Sequence, residues 1–315
     1  MGEVKNSSEL RVDIGSLELK NPVMTASGTF GYGYEFAQLL DLEALGGIIV
    51  KGISLNPRPG NPPPRIVETA SGMLNAIGLQ NVGVERFIKE KMSFLQQKDV
   101  TVFVNILGDS LEEYREISER LHGVEGIAGI EVNISCPNVK KGGVAFGTSP
   151  QMAELVTRTV KEVADVSVMV KLSPNVTDVT EIAKGVEAGG ADSISLINTL
   201  IGMAIDIKKR QPVLANVIGG LSGPAIKPVA LRMVYQVAQA VSIPLVGIGG
   251  ISSTEDVIEF MMAGATAVQI GTANFVDPGI SQQIVEGLDN YLVVEKIDSI
   301  RDIIGVVHKE WLPLR

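Results

Sequence analysis

The sequence predicts a (β/α)8 barrel, a closed parallel sheet wrapped by helices, with long loops inserted at the C-terminal face of the strands. Three observations carry this. Eight short apolar runs, most of them rich in Val and Ile, recur along the chain without strict alternation. Such runs suit strands covered on both faces, as in a parallel sheet. Segments with mixed apolar and charged faces lie between them, and strands alternating with helices build a parallel α/β fold. The length of 315 residues suits such a barrel, for which about 250 residues are typical. A doubly wound open sheet is the alternative. No shift in composition marks a second domain, so 1–315 is read as one.

Taken in order, the expected strands are 22–26, 47–51, 101–106, 130–134, 167–172, 193–197, 244–248 and 267–270. The expected helices are 83–97, 110–121, 149–164, 178–188, 224–241, 254–263 and 278–288. Several have good N-terminal signals: Asp109 or Ser110, Ser149-Pro150, Thr177-Asp178, and Ser253-Thr254 ahead of Glu255. Side-chain oxygens at such positions accept from the first free backbone N–H groups of a helix. Three connections are too long for plain turns: the Pro- and Gly-rich 54–82, the Gly- and Lys-rich 136–148, and 200–223 with Lys208, Lys209 and Arg210. Long irregular loops in compact domains are often lids or binding loops. All three leave the C-terminal end of an expected strand, where barrel enzymes keep their chemistry.

Composition excludes several functions. Lys plus Arg is 27 and Asp plus Glu is 36, a net charge of −9, which argues against nucleic acid or an anionic membrane surface as partner. A single cysteine, Cys136, excludes an internal disulfide and an iron–sulfur cluster held by this chain alone. With two histidines, His122 and His308, no metal site is expected. His122 falls late in an expected helix and suits its C-terminus. The start, MGEVKNSSEL, has no apolar h-region, and no run reaches the ~18 apolar residues of a membrane helix. A soluble cytoplasmic protein is expected. The apolar tail 311–314 is read as packed on the domain.

The strand ends carry the functional signal. They present Thr25-Ala26-Ser27-Gly28, Lys51-Gly52, Asn105, Asn133, Lys171, Asn198-Thr199, Gly249-Gly250 and Gly271-Thr272. Any one Asn there is as readily a turn former as a ligand, and a lysine closing an apolar strand can snorkel to solvent. Their shared position at one mouth favours a site. Lys51 and Lys171 suit an anionic ligand or a reduced cofactor. Gly249-Gly250 and Gly271-Thr272 follow the last two strands, where barrels often bind phosphate, and Gly219-Gly220 with Gly223 could add to that cradle. Cys136 is either an inert small residue or a general base. Ser135 beside it would be a poorer substitute.

Several motifs together resemble the dihydroorotate dehydrogenases. They are Ala-Ser-Gly-Thr-Phe-Gly (26–31), Asn-Ala-Ile-Gly-Leu-Gln-Asn (75–81), Asn-Ile-Ser-Cys-Pro-Asn (133–138), Ile-Asn-Thr (197–199), Gly-Ile-Gly-Gly-Ile (247–251) and Gln-Ile-Gly-Thr-Ala (269–273). The resemblance runs in order from about residue 10 to 305. It implies an FMN-containing (β/α)8 barrel of pyrimidine biosynthesis that oxidises dihydroorotate to orotate. Class 2 members use a serine base and an N-terminal membrane-associating extension. Cys136 and the short N-terminus resemble class 1 instead. The 75–81 motif and the loop 139–147 are similar to class 1B, the NAD-linked kind, rather than to the fumarate-using homodimers of class 1A. The resemblance then implies a partner subunit carrying FAD and a 2Fe-2S cluster, two of each subunit forming a heterotetramer.

Carried over by position, the resemblance assigns FMN contacts to Ser27, Lys51, Gly52, Asn105, Asn133, Lys171, Ile197, Gly223, Gly249, Gly250, Gly271 and Thr272. It assigns dihydroorotate contacts to Lys51, Asn75, Ala76, Ile77, Gly78, Leu79, Asn133, Asn198 and Thr199, with Cys136 as the base. The rivals are a Schiff-base aldolase using Lys51 or Lys171, a flavin barrel that reduces pyrimidine bases as in dihydropyrimidine dehydrogenase, and a flavin-binding barrel without turnover.

Overall fold

The computed structural model describes residues 9–135 and 146–308. Eight parallel strands close into a barrel: β1 (Val23–Thr25), β2 (Gly47–Ile49), β3 (Val102–Ile106), β4 (Gly129–Asn133), β5 (Ser167–Leu172), β6 (Ser193–Leu196), β7 (Leu245–Ile248) and β8 (Ala267–Ile270). Each pairs with its neighbours in sequence, and β8 closes on β1, with Gln269 opposite Met24. This decides for the closed barrel over the open sheet. Every residue of these strands is buried, the condition that continuous apolar runs satisfy. All eight expected strands are present, several of them shorter or shifted at their ends.

The expected caps form. Ser110, Ser149, Asp178 and Ser253 accept from the N–H groups of Glu113, Met152, Thr180 and Asp256. The expected helix 83–97 is instead two, Val84–Glu90 and Met92–Leu95, with Lys91 between them. The expected helix 224–241 begins as a 3-10 turn, Pro224–Ile226, and continues as Lys227–Ala238. The last expected helix is Ile280–Glu295, a turn and a half longer than read. His122 is the C-cap of Leu111–Leu121, its Nδ1 3.0 Å from the Val163 carbonyl.

The N-terminal mouth is closed by an antiparallel hairpin, Val12–Ile14 with Leu17–Leu19, that buries Val12, Ile14 and Leu19. Its turn glycine, Gly15, has φ +70° and lies against the Asp192 carbonyl just ahead of β6. Just inside, an added Cβ on Gly129 would stand 2.3 Å from the Phe103 ring, which fills that level.

Two of the three long connections are not irregular. Leu200–Met203, Ile218–Ser222, Gly72–Asn75 and Ile66–Thr69 pair, in that order, into a four-stranded antiparallel sheet. The strands are short and half exposed, so alternation is faint, and glycines allow the close approaches. A Cβ on Gly72 would meet the Ser222 carbonyl at 2.0 Å. The third connection lies mostly outside the described residues, which resume at the 3-10 turn Phe146–Thr148. The apolar tail 311–314 lies outside them as well. No helix among the described residues is long and apolar enough to cross a membrane.

Candidate active site

The barrel interior holds a polar layer below its C-terminal mouth. Pleat alternation turns Asn105 of β3, Glu131 of β4, Lys171 of β5, Ser195 of β6 and Gln269 of β8 to one interior, and all are buried. Asn105 stands opposite Glu131 and Lys171 opposite Ser195 in register. Glu131 accepts from Asn105 Nδ2 at 2.6 Å, Ser195 Oγ at 2.8 Å and Gln269 Nε2 at 2.7 Å. Lys171 Nζ lies 3.9 Å from Glu131 and donates to Ser27 Oγ at 3.3 Å. Asn105 Oδ1 is buried with no partner among the described residues.

Above this layer stand Asn133, Asn198 and Thr199. Asn198 Nδ2 reaches Asn133 Oδ1 at 3.5 Å, and the Asn133 oxygen also accepts from the Ser135 N–H at 3.1 Å. The Ser135 hydroxyl donates to the Lys171 carbonyl at 3.2 Å, and Tyr114 Oη donates to the Asn133 carbonyl at 2.8 Å. These bonds tie the ends of β4, β5 and β6 together. Asn198 Oδ1 accepts from the Thr199 N–H at 2.8 Å, and an added Cβ on Gly220 would sit 2.1 Å from Thr199 Oγ1. The small sheet thus lies directly against the substrate residues expected from the sequence.

On one side the glycines assemble. Gly223, Gly249 and Gly250 all have positive φ, where a side chain strains the backbone. A Cβ on Gly250 would meet the Lys227 backbone at 2.8 Å and the Gly223 carbonyl at 2.9 Å. A Cβ on Gly249 would meet the Ile197 side chain at 3.4 Å, one on Gly223 the Thr272 methyl at 3.6 Å, and one on Gly271 the Ala26 methyl at 3.6 Å. Thr272 Oγ1 donates to Ser222 Oγ at 2.7 Å. Asp256 braces the turn after Gly250 by accepting from Ser252 N and Oγ, Ser253 N and Lys227 Nζ. Burial opposes the Asp256 charge, but these donors outweigh it and hold its carboxyl below the usual range.

Opposite stand Lys51, Gly52 and the 75–79 loop. Lys51 follows β2, its N–H bonded to the Gly31 carbonyl. Burial pushes its ammonium below the usual lysine range, and the nearby Arg65 guanidinium pushes it further. A Cβ on Gly52 would sit 2.8 Å from Asn105 Oδ1. Asn75 ends a strand of the small sheet, and its Nδ2 reaches the Gly220 carbonyl at 3.4 Å. The loop beyond is fixed through its backbone: Ala76 N to the Arg65 carbonyl, Asn61 N to the Ile77 carbonyl, and Asn81 Nδ2 to the Leu79 carbonyl. Gly78 and Leu79 both take positive φ.

The expected residues therefore gather at one mouth, with Cys136 the exception, since it lies outside the described residues. Among the described residues no group of three or more His, Cys, Asp or Glu side chains could hold a metal. Sequence reasoning missed Glu131, Gln269 and Arg65. Glu131 had a readable signal: a carboxylate in the run Gly-Ile-Glu-Val-Asn, two residues before Asn133 and so on the same face of the strand. Arg65 sits in a segment read as loop.

Known proteins place this arrangement. The family model described as dihydroorotate dehydrogenase matches residues 9–292. A dihydroorotate dehydrogenase B (NAD(+)) catalytic subunit from Citrifermentans bemidjiense is 60% identical over 299 residues, 95% of this chain and 98% of that protein. Proteins of the same name from Geotalea uraniireducens and Geobacter sulfurreducens are 59% and 57% identical over the same shares. With the whole barrel matched and the strand-end residues gathered as the motifs required, the chain belongs to the dihydroorotate dehydrogenase family.

Proposed function

We propose that this chain is the catalytic subunit of an NAD-linked dihydroorotate dehydrogenase. It oxidises dihydroorotate to orotate in pyrimidine biosynthesis, uses FMN, and passes electrons to a partner subunit carrying FAD and a 2Fe-2S cluster. Two copies of each subunit form the assembly. The observation that carries the reading is the polar floor of the mouth, where Glu131 holds the Asn105 NH2 group and lies 3.9 Å from the Lys171 ammonium, and where the Asn105 oxygen is buried without a partner among the described residues.

The residues present fit FMN. Asn105 Oδ1 is a buried acceptor with no donor among the described residues, and a flavin ring carries an N–H. Gly223, Gly249 and Gly250 hold tight positive-φ turns in which a Cβ would strike Gly72, Ala230 and Lys227, so backbone, whose N–H groups are what a phosphate uses, lines this side of the mouth. Ser27, Lys51, Gly52, Asn133, Lys171, Ile197 and Thr272 complete the proposed contacts. When bound, FMN supplies the acceptor for the hydride leaving C6 of dihydroorotate.

The chain's own residues do the rest. Lys51 offsets the substrate carboxylate and fixes its orientation. The amides of Asn75, Asn133 and Asn198 match donors and acceptors on the pyrimidine edge, while Ala76, Ile77, Gly78, Leu79 and Thr199 enclose it. Cys136 takes the proton from C5 as general base. Lys171 offsets negative charge at the cofactor from inside a water-excluded layer.

The test is anaerobic reduction of the bound flavin by dihydroorotate in Cys136→Ala. The variant keeps its flavin and is reduced ~10²-fold or more slowly, the scale of a lost general base. Cys136→Ser retains part of the rate, with its optimum at higher pH. Unchanged kinetics in Cys136→Ala removes the cysteine from the chemistry. Rapid turnover with fumarate by the chain alone contradicts the NAD-linked assignment.

A further inference from the structure

Glu131 is fully buried, and the proposed chemistry does not use it. A buried carboxylate is costly, and replacing a buried ion pair by apolar residues is often neutral or stabilising. Stability alone therefore gives no reason for a charge at this depth.

Its bonding suggests one. An ionised carboxylate only accepts, so Glu131 fixes which end of each neighbouring amide faces it. Asn105 and Gln269 both turn their NH2 groups to it, at 2.6 Å and 2.7 Å. The Asn105 and Gln269 oxygens are left buried and unpartnered among the described residues. The Asn105 oxygen lies beside Gly52, toward the mouth. Ser195 satisfies the carboxylate from the other side at 2.8 Å. The Lys171 ammonium, at 3.9 Å, is drawn toward Glu131 without a direct hydrogen bond. Its protons stay free for Ser27, at 3.3 Å, and for a ligand above.

We propose that Glu131 is a positioning residue: it presents the Asn105 oxygen and the Lys171 ammonium to the flavin, and its charge lowers the flavin's reduction potential below the value Lys171 alone would set. The proposal rests on the FMN reading above. Reduction adds negative charge at the ring. A fixed anion in the layer beneath opposes that change, and a fixed cation favours it.

The experiment is the flavin midpoint potential, measured by anaerobic titration of the holoenzyme as wild type, Glu131→Gln and Lys171→Gln. Glu131→Gln keeps shape and removes charge. Its potential rises by at least a tenfold change in the two-electron equilibrium, about 30 mV, while Lys171→Gln shifts it the opposite way. A purely structural role would lower the melting temperature of Glu131→Gln and leave the potential in place. That result, or a fall, overturns the proposal. If Glu131→Gln does not accumulate as holoenzyme, Lys171→Met is compared with the double variant Glu131→Met, Lys171→Met, which exchanges the pair for apolar side chains. The added substitution again raises the potential, and no change overturns the proposal. A wild-type chain that binds no FMN defeats the FMN reading first and this proposal with it, whereas an unmoved potential in Lys171→Gln with flavin bound leaves the FMN reading standing and overturns this proposal.

Discussion

Lys51 combines two unfavourable conditions for an ammonium, burial and the nearby Arg65 guanidinium, and both lower its pKa. If Lys51 holds the substrate carboxylate as proposed, it loses its proton and that attraction as pH rises through this lowered value, so KM for dihydroorotate should climb at a lower pH than a free lysine would allow. Arg65→Gln removes one depressing charge and moves the climb to higher pH. KM measured across the alkaline range checks this, and a profile at the same pH in both proteins contradicts it. Much of this site was legible at the residue level. Lys51 closes an apolar run, and Asn105, Asn133 and Lys171 each stand next to last in one, where side chains reach the mouth. Arg65 was not legible, because its nearness to Lys51 depends on a sheet the sequence did not announce. Nor was the orientation of the Asn105 amide, which Glu131 dictates from a neighbouring strand.

The barrel strands were legible as elements because their burial is complete, so apolar residues are continuous. The four-stranded sheet was not, since its strands are half exposed and its glycines mark close packing as readily as turns. At this scale the turn after β7 carries two predictions. Gly250→Ala forces a Cβ toward Lys227 and the Gly223 carbonyl at a φ of +76°. It should release FMN more readily on dilution, by about tenfold if roughly 1.4 kcal/mol of backbone strain falls on the bound state. Flavin fluorescence after gel filtration measures this, and undiminished retention argues against a phosphate cradle there. Asp256→Asn removes a charged acceptor of four bonds and should cost about 2 kcal/mol. The folded pKa of Asp256 is depressed, so its stabilisation is present above the unfolded carboxylate range and is lost as pH falls through the folded value. Melting curves at neutral and acid pH should converge for the two proteins, and a constant gap contradicts the assignment.

At the scale of the whole molecule, two apolar regions meet around one polar layer. Outside the sheet, Phe260 of the helix Thr254–Met262 rests on Gly247 of β7, whose Cβ would stand 2.4 Å from its ring. Phe260→Ala should destabilise the protein by about 3–5 kcal/mol without moving the substrate KM, as denaturant unfolding and steady-state kinetics would show. The choice between a closed barrel and an open sheet rests on the pairing of β8 with β1, which no local pattern encodes. The closed ring brings eight strand ends to one mouth and turns scattered asparagines, lysines and glycines into a site. Such a site, as proposed, holds FMN and lets dihydroorotate reduce it. The decisive experiment is a visible absorption spectrum of the purified chain before and after anaerobic dihydroorotate. The purified chain should be yellow and should bleach on addition. A chain that stays colourless after added FMN, or a yellow one that dihydroorotate leaves unbleached, contradicts that proposal.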